Sequence, residues 1–426
     1  MKSYLNLTKE ELQKELDSLM TQYEKEQEKG LNLDMSRGKP NPLQLDLSME
    51  MLNLDSALIT KTGKGTDVRN YGILDGVDEA KKIFSDVLGV GFNNVIIGGA
   101  SSLNLMYDMV AKAMLFGVYG GSKPWGTQGK IKFLCPSPGY DRHFTICEAF
   151  GIEMITVKMT NEGPDMDEVE KLLSSDESIK GIWCVPKYSN PQGITFSNDV
   201  VKRFANLKPK ADDFRIFWDN AYLVHNFEDD SNELLNIFDA CKEVGSEDLV
   251  YEFFSTSKIT FSGSGIAVFA SSTNNRNFIL KQLGSQTIGY DKINQLRHAR
   301  FFGDKDGIIN HMKKHAAIIK PKFDCVCDIL EKEIAPLEIG SWFKPKGGYF
   351  ISFDSLPGCA KRIYDLCKNA GITLTTVGAT FPYGNDPLDQ NIRIAPTFPP
   401  VSELETAMNI FCLCTKISTA EMLLSK

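Results

Sequence analysis

No stretch of this 426-residue chain reaches the roughly 18–20 consecutive apolar residues that a membrane-spanning helix needs. Its N-terminus has no basic segment followed by an apolar core, so it does not read as a secretory leader. The chain is therefore expected in the cytoplasm, with no membrane partner. Positive charge is in deficit: 47 Lys and Arg face 55 Asp and Glu, for a net charge of −8 and a pI near 5.4. That balance removes the electrostatic case for nucleic acid as a partner. Anionic small molecules stay open, because a local arginine cluster outweighs a distant net charge. No C-x2-C knuckle occurs among the ten cysteines, which excludes a zinc ribbon. Cys325/Cys327 and Cys412/Cys414 lie in apolar, helix-like stretches where i and i+2 point to different faces. The cysteines are expected to be reduced and mostly buried. His311 and His315 have i,i+4 spacing, but Met312 stands where a zincin helix needs glutamate, so no metal site is expected. Internal repeats and low-complexity tracts are also missing.

What is present suits two or three domains. Hydrophobic residues make up 42% and charged residues 24%, ordinary globular usage with material for a sizeable core. Residues 8–29 read as a charged amphipathic helix, opened by the capping box Thr8/Glu11 and stopped by Gly30. In 33–48, Gly38, Pro40 and Pro42 predict an ordered arm without regular structure. From about residue 75, helices (78–89, 166–175) alternate with apolar strands at 130–135, 153–157, 180–185, 214–219, 249–255 and 265–270. A short strand in 93–102 runs into a Gly-rich turn and a helix. Continuous apolar strands alternating with helices predict an α/β unit with a buried, mainly parallel sheet. The C-terminal part reads as a smaller α+β unit: a helix at 304–333, a strand pair around 342–354, a helix at 359–370, strands at 372–378 and 391–396, and a final helix from about 401. The expected organisation is an N-terminal helix and arm (1–48) belonging to the small domain, a large domain (49–300) and the rest of the small domain (301–426).

Three polar clusters sit at three successive strand ends, where parallel sheets gather their functional residues. They are Asn190-Pro191-Gln192-Gly193, Asp219-Asn220-Ala221-Tyr222 and Ser255-Thr256-Ser257-Lys258. Asn190, Asp219 and Lys258 are separated by 29 and 39 residues, each enough for one crossover unit. Each cluster has an ordinary reading too. Asn190-Pro191 makes a good turn, Asp219 a good helix cap, and a lysine after Ser-x-Ser is usually a surface charge. The combination in order, followed by Arg393 in the C-terminal part, is what carries information.

With that set, and with the local wording SRGKP, GASSLNLM, PGYDRHF, STSKITF and IRIAPTFPP, the chain from about residue 33 onward resembles the class I/II aminotransferases. These are enzymes of the pyridoxal 5′-phosphate (PLP)-dependent transferase fold type I. Within them it is similar to the branch that contains the subgroup Ic aspartate aminotransferases. The resemblance implies a large domain with a seven-stranded-type sheet flanked by helices. It implies PLP linked covalently to Lys258, which also shuttles the proton between substrate and cofactor. Asp219 is implied to pair with the cofactor's ring nitrogen, with His143 orienting it. Asn190 and Tyr222 would bond the phenolic oxygen, and Tyr140 would cover the ring. The phosphate would take Gly99, Ala100 and Ser101 at a helix N-terminus, Ser255, Ser257, and Tyr71 from a neighbouring subunit, which makes a homodimer the expected unit. Arg393 would grip the substrate α-carboxylate bidentately, with Asn190 and Gly38 completing that pocket. Arg37 and Arg297 are the candidates for a second substrate carboxylate.

One position departs from the pattern. Many class I enzymes carry a phosphate-binding arginine about eight residues after the lysine; here that place is Ile266. The implied reaction moves an amino group from an L-amino acid, aspartate by the resemblance, to a 2-oxo acid such as 2-oxoglutarate. Two alternatives use the same Asp219 and Lys258: a PLP-dependent lyase or decarboxylase, and transfer from 2-aminoadipate, kynurenine, alanine or an aromatic amino acid. A non-catalytic effector-binding protein on this fold is disfavoured, because the single N-terminal helix is too short for a helix-turn-helix module.

Overall fold

The N-terminal capping box forms: Thr8 Oγ1 accepts from the Glu11 N–H at 3.2 Å, and Glu11 Oε2 accepts from the Thr8 N–H at 2.8 Å. The helix it opens spans Lys9–Glu28, and Gly30 ends it at φ 59°. A computed structural model describes residues 3–228 and 233–426.

The central sheet runs in the order Val95–Ile97, Ala267–Ser271, Val250–Ser255, Arg215–Asp219, Ile179–Cys184, Lys132–Ser137, Glu153–Thr160 and the two-residue Gly163–Pro164. The four pairings from Val250–Ser255 across to Glu153–Thr160 are parallel. Ala267–Ser271 is antiparallel to both its neighbours. The reason is connection length: residues 256–266 are too few for a crossover, so the chain returns directly beside the strand it left.

Alternation along the strands divides the core into two layers. Phe133, Trp183, Phe217 and Phe253 pack on one face with Met106 and Val110. Leu134, Ile182, Trp218 and Phe254 pack on the other with Phe84 and Phe204. A further core joins both chain ends, with Leu12, Leu19 and Tyr23 packing on Ile363, Leu366 and Phe411. Tyr23 Oη donates to the Leu366 carbonyl at 2.8 Å. The small antiparallel sheet Gly340–Trp342, Ile351–Ser355, Asn391–Ile394 lies in this part. Helix Lys305–Glu333 links two of these cores, giving Ile308 and Met312 to the layer of Phe84 and Phe204 and Phe323 and Leu330 to the core of the chain ends. The apolar final helix Val401–Leu424 buries Leu404, Met408, Phe411 and Ile417.

The arm 33–48 has more regular structure than its composition predicts. Leu33–Asp34 pairs in parallel with Ile372–Thr373. Pro42–Asp46 is a short helix in which Asn41 and Gln44 form a capping box. Pro42 begins that helix instead of breaking it, because the first turn has no use for its missing N–H.

Glu252 sits inside the central strands, and burial pushes its carboxyl up to about 8, against a hydrogen bond from Asn220. Asn220 Nδ2 donates to Glu252 Oε1 at 2.8 Å, while Asn220 Oδ1 has no partner among the described residues. A neutral carboxyl suits this place, since it brings a donor as well as acceptors. The folded state therefore holds a proton that the unfolded state releases, and stability falls as pH rises from about 4.5 toward 8. Glu252→Gln should remove that loss, on the order of 3 kcal/mol at pH 7. Thermal unfolding should show the variant's advantage widening from pH 5 to pH 8; a constant offset would contradict the assignment.

Candidate active site

Lys258 follows the strand Val250–Ser255 in a turn pinned from beneath. Thr256 Oγ1 accepts from the Ile266 N–H at 2.8 Å, and the Thr256 carbonyl accepts from the N–H groups of Ile259 and Thr260 at 2.9 Å each. His298 Nε2 lies 3.1 Å from Thr256 Oγ1 and 3.0 Å from Thr260 Oγ1. The turn opens into a cavity lined by Gly38, Lys39, Pro40, Ser101, Ser102, Leu103, Tyr140, Asn190, Asp219, Tyr222, Ser255, Ser257, Lys258 and Ser262. Residues from six separate segments thus meet at the carboxyl ends of the parallel strands.

The Lys258 ammonium is buried over two aromatic faces, with Nζ 4.9 Å from the Tyr222 ring centroid and 5.8 Å from that of Tyr349. Burial lowers its pKa; Arg393 pushes the same way and Asp219 opposes. The amine is thereby moved toward the neutral, nucleophilic form. Burial likewise raises the phenols of Tyr222 and Tyr140, and Asp219 adds to both shifts.

Asp219 ends the strand Arg215–Asp219. His143 Nε2 lies 3.1 Å from Asp219 Oδ2, while Oδ1 is buried without a partner among the described residues. The His143 ring is fixed on two sides. Trp183 stacks on it at 4.4 Å and 10°, and Tyr140 meets it edge-on at 4.9 Å. Trp183 is held in turn by its Nε1–H, which donates to Cys147 Sγ at 3.2 Å.

Arg393 is buried in the strand Asn391–Ile394, not solvated. Its Nη1 donates to Asn190 Oδ1 at 3.2 Å and to Asp141 Oδ1 at 3.0 Å, its Nε donates to Thr375 Oγ1 at 3.3 Å, and the guanidinium stands over Phe350. Phe350 also fixes the loop at Gly38, where a Cβ would come within 2.3 Å of its ring.

A second hydrogen-bond system lies behind Lys258. Tyr349 Oη donates to the Lys258 carbonyl at 3.4 Å, and Gln44 Nε2 reaches Tyr349 Oη at 2.9 Å and His315 Nδ1 at 3.0 Å. His315 Nε2 is 3.1 Å from His311 Nε2, which lies 2.9 Å from the Ile259 carbonyl. The i,i+4 histidines thus spend their nitrogens on each other and on the Lys258 turn. Burial lowers both, His315 to about 3, so they act as neutral dipoles.

Several residues singled out from the sequence lie elsewhere. Gly99 and Ala100 line a neighbouring cavity with Gly265 and Arg297, while Ser101 faces the Lys258 cavity. Arg37 is exposed and does not line the Lys258 cavity, and Arg297 is on the neighbouring one. Tyr71 is 81% exposed and belongs to no core. Ile266 is buried, with its N–H given to Thr256. In place of a downstream arginine, the cavity has the hydroxyls of Ser101, Ser102, Ser255, Ser257 and Ser262. It also has the start of helix Ser102–Phe116, where no side chain caps the N–H groups.

The sequence profile of the aspartate amino-transferase family matches residues 7–426. This chain belongs to that family. An aspartate aminotransferase of Corynebacterium glutamicum is 44% identical over 417 residues, which cover 98% of this chain and 95% of that protein. The crystal structure of an aspartate transaminase from the same organism matches with a TM-score of 0.96 at 43% identity, covering 99% of each chain. An α-aminoadipate aminotransferase of Thermus thermophilus shares the fold at a TM-score of 0.73 and 18% identity, covering 94% of this chain and 95% of that one. The fold is that of the type I PLP-dependent transferases, and the chain is an aminotransferase.

Asp141, Trp183, Thr375, Tyr349 and Lys39 were not singled out from the sequence. Asp141 and Lys39 stand inside the very words PGYDRHF and SRGKP, one or two residues from positions that were. Trp183 and Tyr349 carry no local signal, since an aromatic residue in an apolar strand reads as core.

Proposed function

We propose that the Lys258 cavity holds PLP and that the enzyme moves the amino group of aspartate to 2-oxoglutarate. The observation that carries the cofactor reading is Asp219 Oδ1, a buried carboxylate oxygen without a partner among the described residues, on a side chain already held by His143. Such an oxygen calls for a donor, and a protonated pyridine nitrogen is one. The hydroxyl-lined wall and uncapped helix start suit a phosphate, so the residues fit the group. Lys258 would hold it covalently, Ser101, Ser255 and Ser257 its phosphate, and Asn190 and Tyr222 its phenolic oxygen, with Tyr140 beside the ring. Gly99 and Ala100 would shape the phosphate turn from behind. Tyr71, exposed, would serve a neighbouring subunit of a homodimer in the cytoplasm. We also read 1–48 with 301–426 as the small domain and 49–300 as the large one.

When bound, PLP accepts the electron pair left as the substrate's Cα loses its proton. The chain's own groups do the rest. The Lys258 amine, whose pKa burial lowers, would take the proton from Cα of the donor and, in the second half-reaction, give one to Cα of the product amino acid. Arg393 orients the α-carboxylate, with Asn190 and Gly38 beside it. Asp141 shares Arg393, so an incoming carboxylate meets a guanidinium already aimed and partly neutralised. The surrounding aromatic rings exclude water from the amine.

The substrate reading is supported by the full-length likeness to the Corynebacterium glutamicum aspartate aminotransferase. A donor panel tests it. Aspartate should give a kcat/KM about tenfold or more above alanine, 2-aminoadipate, kynurenine and the aromatic amino acids. Product should stop at one equivalent per site until 2-oxoglutarate is added. Continued product without an acceptor would replace the transferase by a lyase or decarboxylase.

A further inference from the structure

A dicarboxylic substrate needs two cationic receptors, and Arg393 accounts for one. Arg37 and Arg297 lie off the Lys258 cavity, but Lys39 is on its wall. We propose that Lys39 receives the side-chain carboxylate of the substrate and so sets the preference for dicarboxylic amino acids. This rests on the reading of the Lys258 cavity as the substrate site.

Three observations support it. The main chain of Lys39 is tied down: its N–H donates to the Arg37 carbonyl at 2.9 Å, and its carbonyl accepts from Thr397 Oγ1 at 3.0 Å. The next residue but one, Asn41, donates from Nδ2 to the Thr397 carbonyl at 3.1 Å. The head group is oriented, with Nζ 3.8 Å from the centroid of the Phe398 ring, a contact that aims an ammonium without neutralising it. And it is unpaired. Lys81, Lys180 and Lys416 each hold a carboxylate within 2.6 Å, whereas no described carboxylate forms an ion pair with Lys39. An ammonium with free donors on a cavity wall is a receptor for a carboxylate.

The connectivity adds a reason for selectivity. Arg393 belongs to the strand that leads directly into Thr397 and Phe398, the two residues that fix Lys39. One short segment therefore carries the first receptor and the seat of the second, and it sets the distance between them. That distance, more than charge alone, would sort substrates by the spacing of their carboxylates.

The test uses the PLP-loaded enzyme and two variants, Lys39→Met, which keeps the stem and removes the charge, and Lys39→Arg, which keeps the charge. Succinate and butanoate serve as amine-free probes with two carboxylates and one, and their binding is measured by calorimetry. Lys39→Met should lower the succinate-to-butanoate affinity ratio about 10- to 100-fold. It should lower the aspartate-to-alanine ratio of kcat/KM in parallel, while Lys39→Arg keeps most of both preferences. A Lys39→Met variant with the parent's ratios overturns the assignment. A parent enzyme that does not itself distinguish succinate from butanoate, or aspartate from alanine, overturns instead the dicarboxylate reading beneath it.

Discussion

Lys258→Ala should abolish transamination, lowering kcat by about 10⁴-fold or more, while the fold and the rest of the cavity stay in place. The lysine is given two tasks, to hold the cofactor and to move the Cα proton, and no other amine occupies its position. Lys39, the other lysine on the cavity wall, stands on Phe398 in a separate segment. Alanine removes the ammonium from over Tyr222 and Tyr349 but leaves the carbonyl that Tyr349 bonds, so the turn should hold. The parent loaded with PLP should show a near-visible absorption band that shifts on adding aspartate. The variant should lack it and show the spectrum of noncovalently bound cofactor. Activity within about tenfold of the parent's would remove Lys258 from the chemistry.

Asp219→Ala should be the next most damaging change, with kcat/KM reduced about 10²- to 10³-fold, the loss typical of removing one preorganised electrostatic partner. The reason lies in the two oxygens. Oδ2 is held by His143, which is itself clamped between Trp183 and Tyr140, and Oδ1 has no partner among the described residues, which leaves it open to the proposed cofactor. Losing the carboxylate removes the charge that keeps a ring nitrogen protonated. Steady-state kinetics on Asp219→Ala and Asp219→Asn check this, with cofactor content measured alongside. If the asparagine variant, which keeps the shape without the charge, matched the parent, the electrostatic role would be refuted. His143→Ala should do less harm than either, since His143 acts only through Asp219.

Much of this was legible because it is periodic or local. Buried strands announce themselves as continuous apolar runs, and the polar residues closing them, Asn190, Asp219 and Lys258, stand out by contrast. The capping box at Thr8/Glu11 lies within one helical turn. What the sequence concealed depends on distant or directional contacts. The bond from Gln44 to His315 joins residues 271 positions apart, and no local pattern encodes it. Pro42 was misread because the same residue that ends a helix also begins one. Arg37 and Lys39 stand two residues apart in one loop, and which of them lines the cavity is decided by tertiary contacts of that loop with Thr397, Phe398 and Phe350. Ile266 marks that an arginine is missing, and Ser101, Ser255 and Ser257, the residues expected at the phosphate, do line the same cavity, joined by Ser102 and Ser262.

The central claim is that Lys258 carries the cofactor, and the most direct measurement is to fix the cofactor in place and find it. The PLP-loaded enzyme is reduced with borohydride, digested and mapped by mass spectrometry. The predicted result is one reduced cofactor per chain on the peptide containing Lys258, with the label lost when aspartate is added before the borohydride. Label on a different lysine, with the Lys258 peptide unmodified, would contradict it.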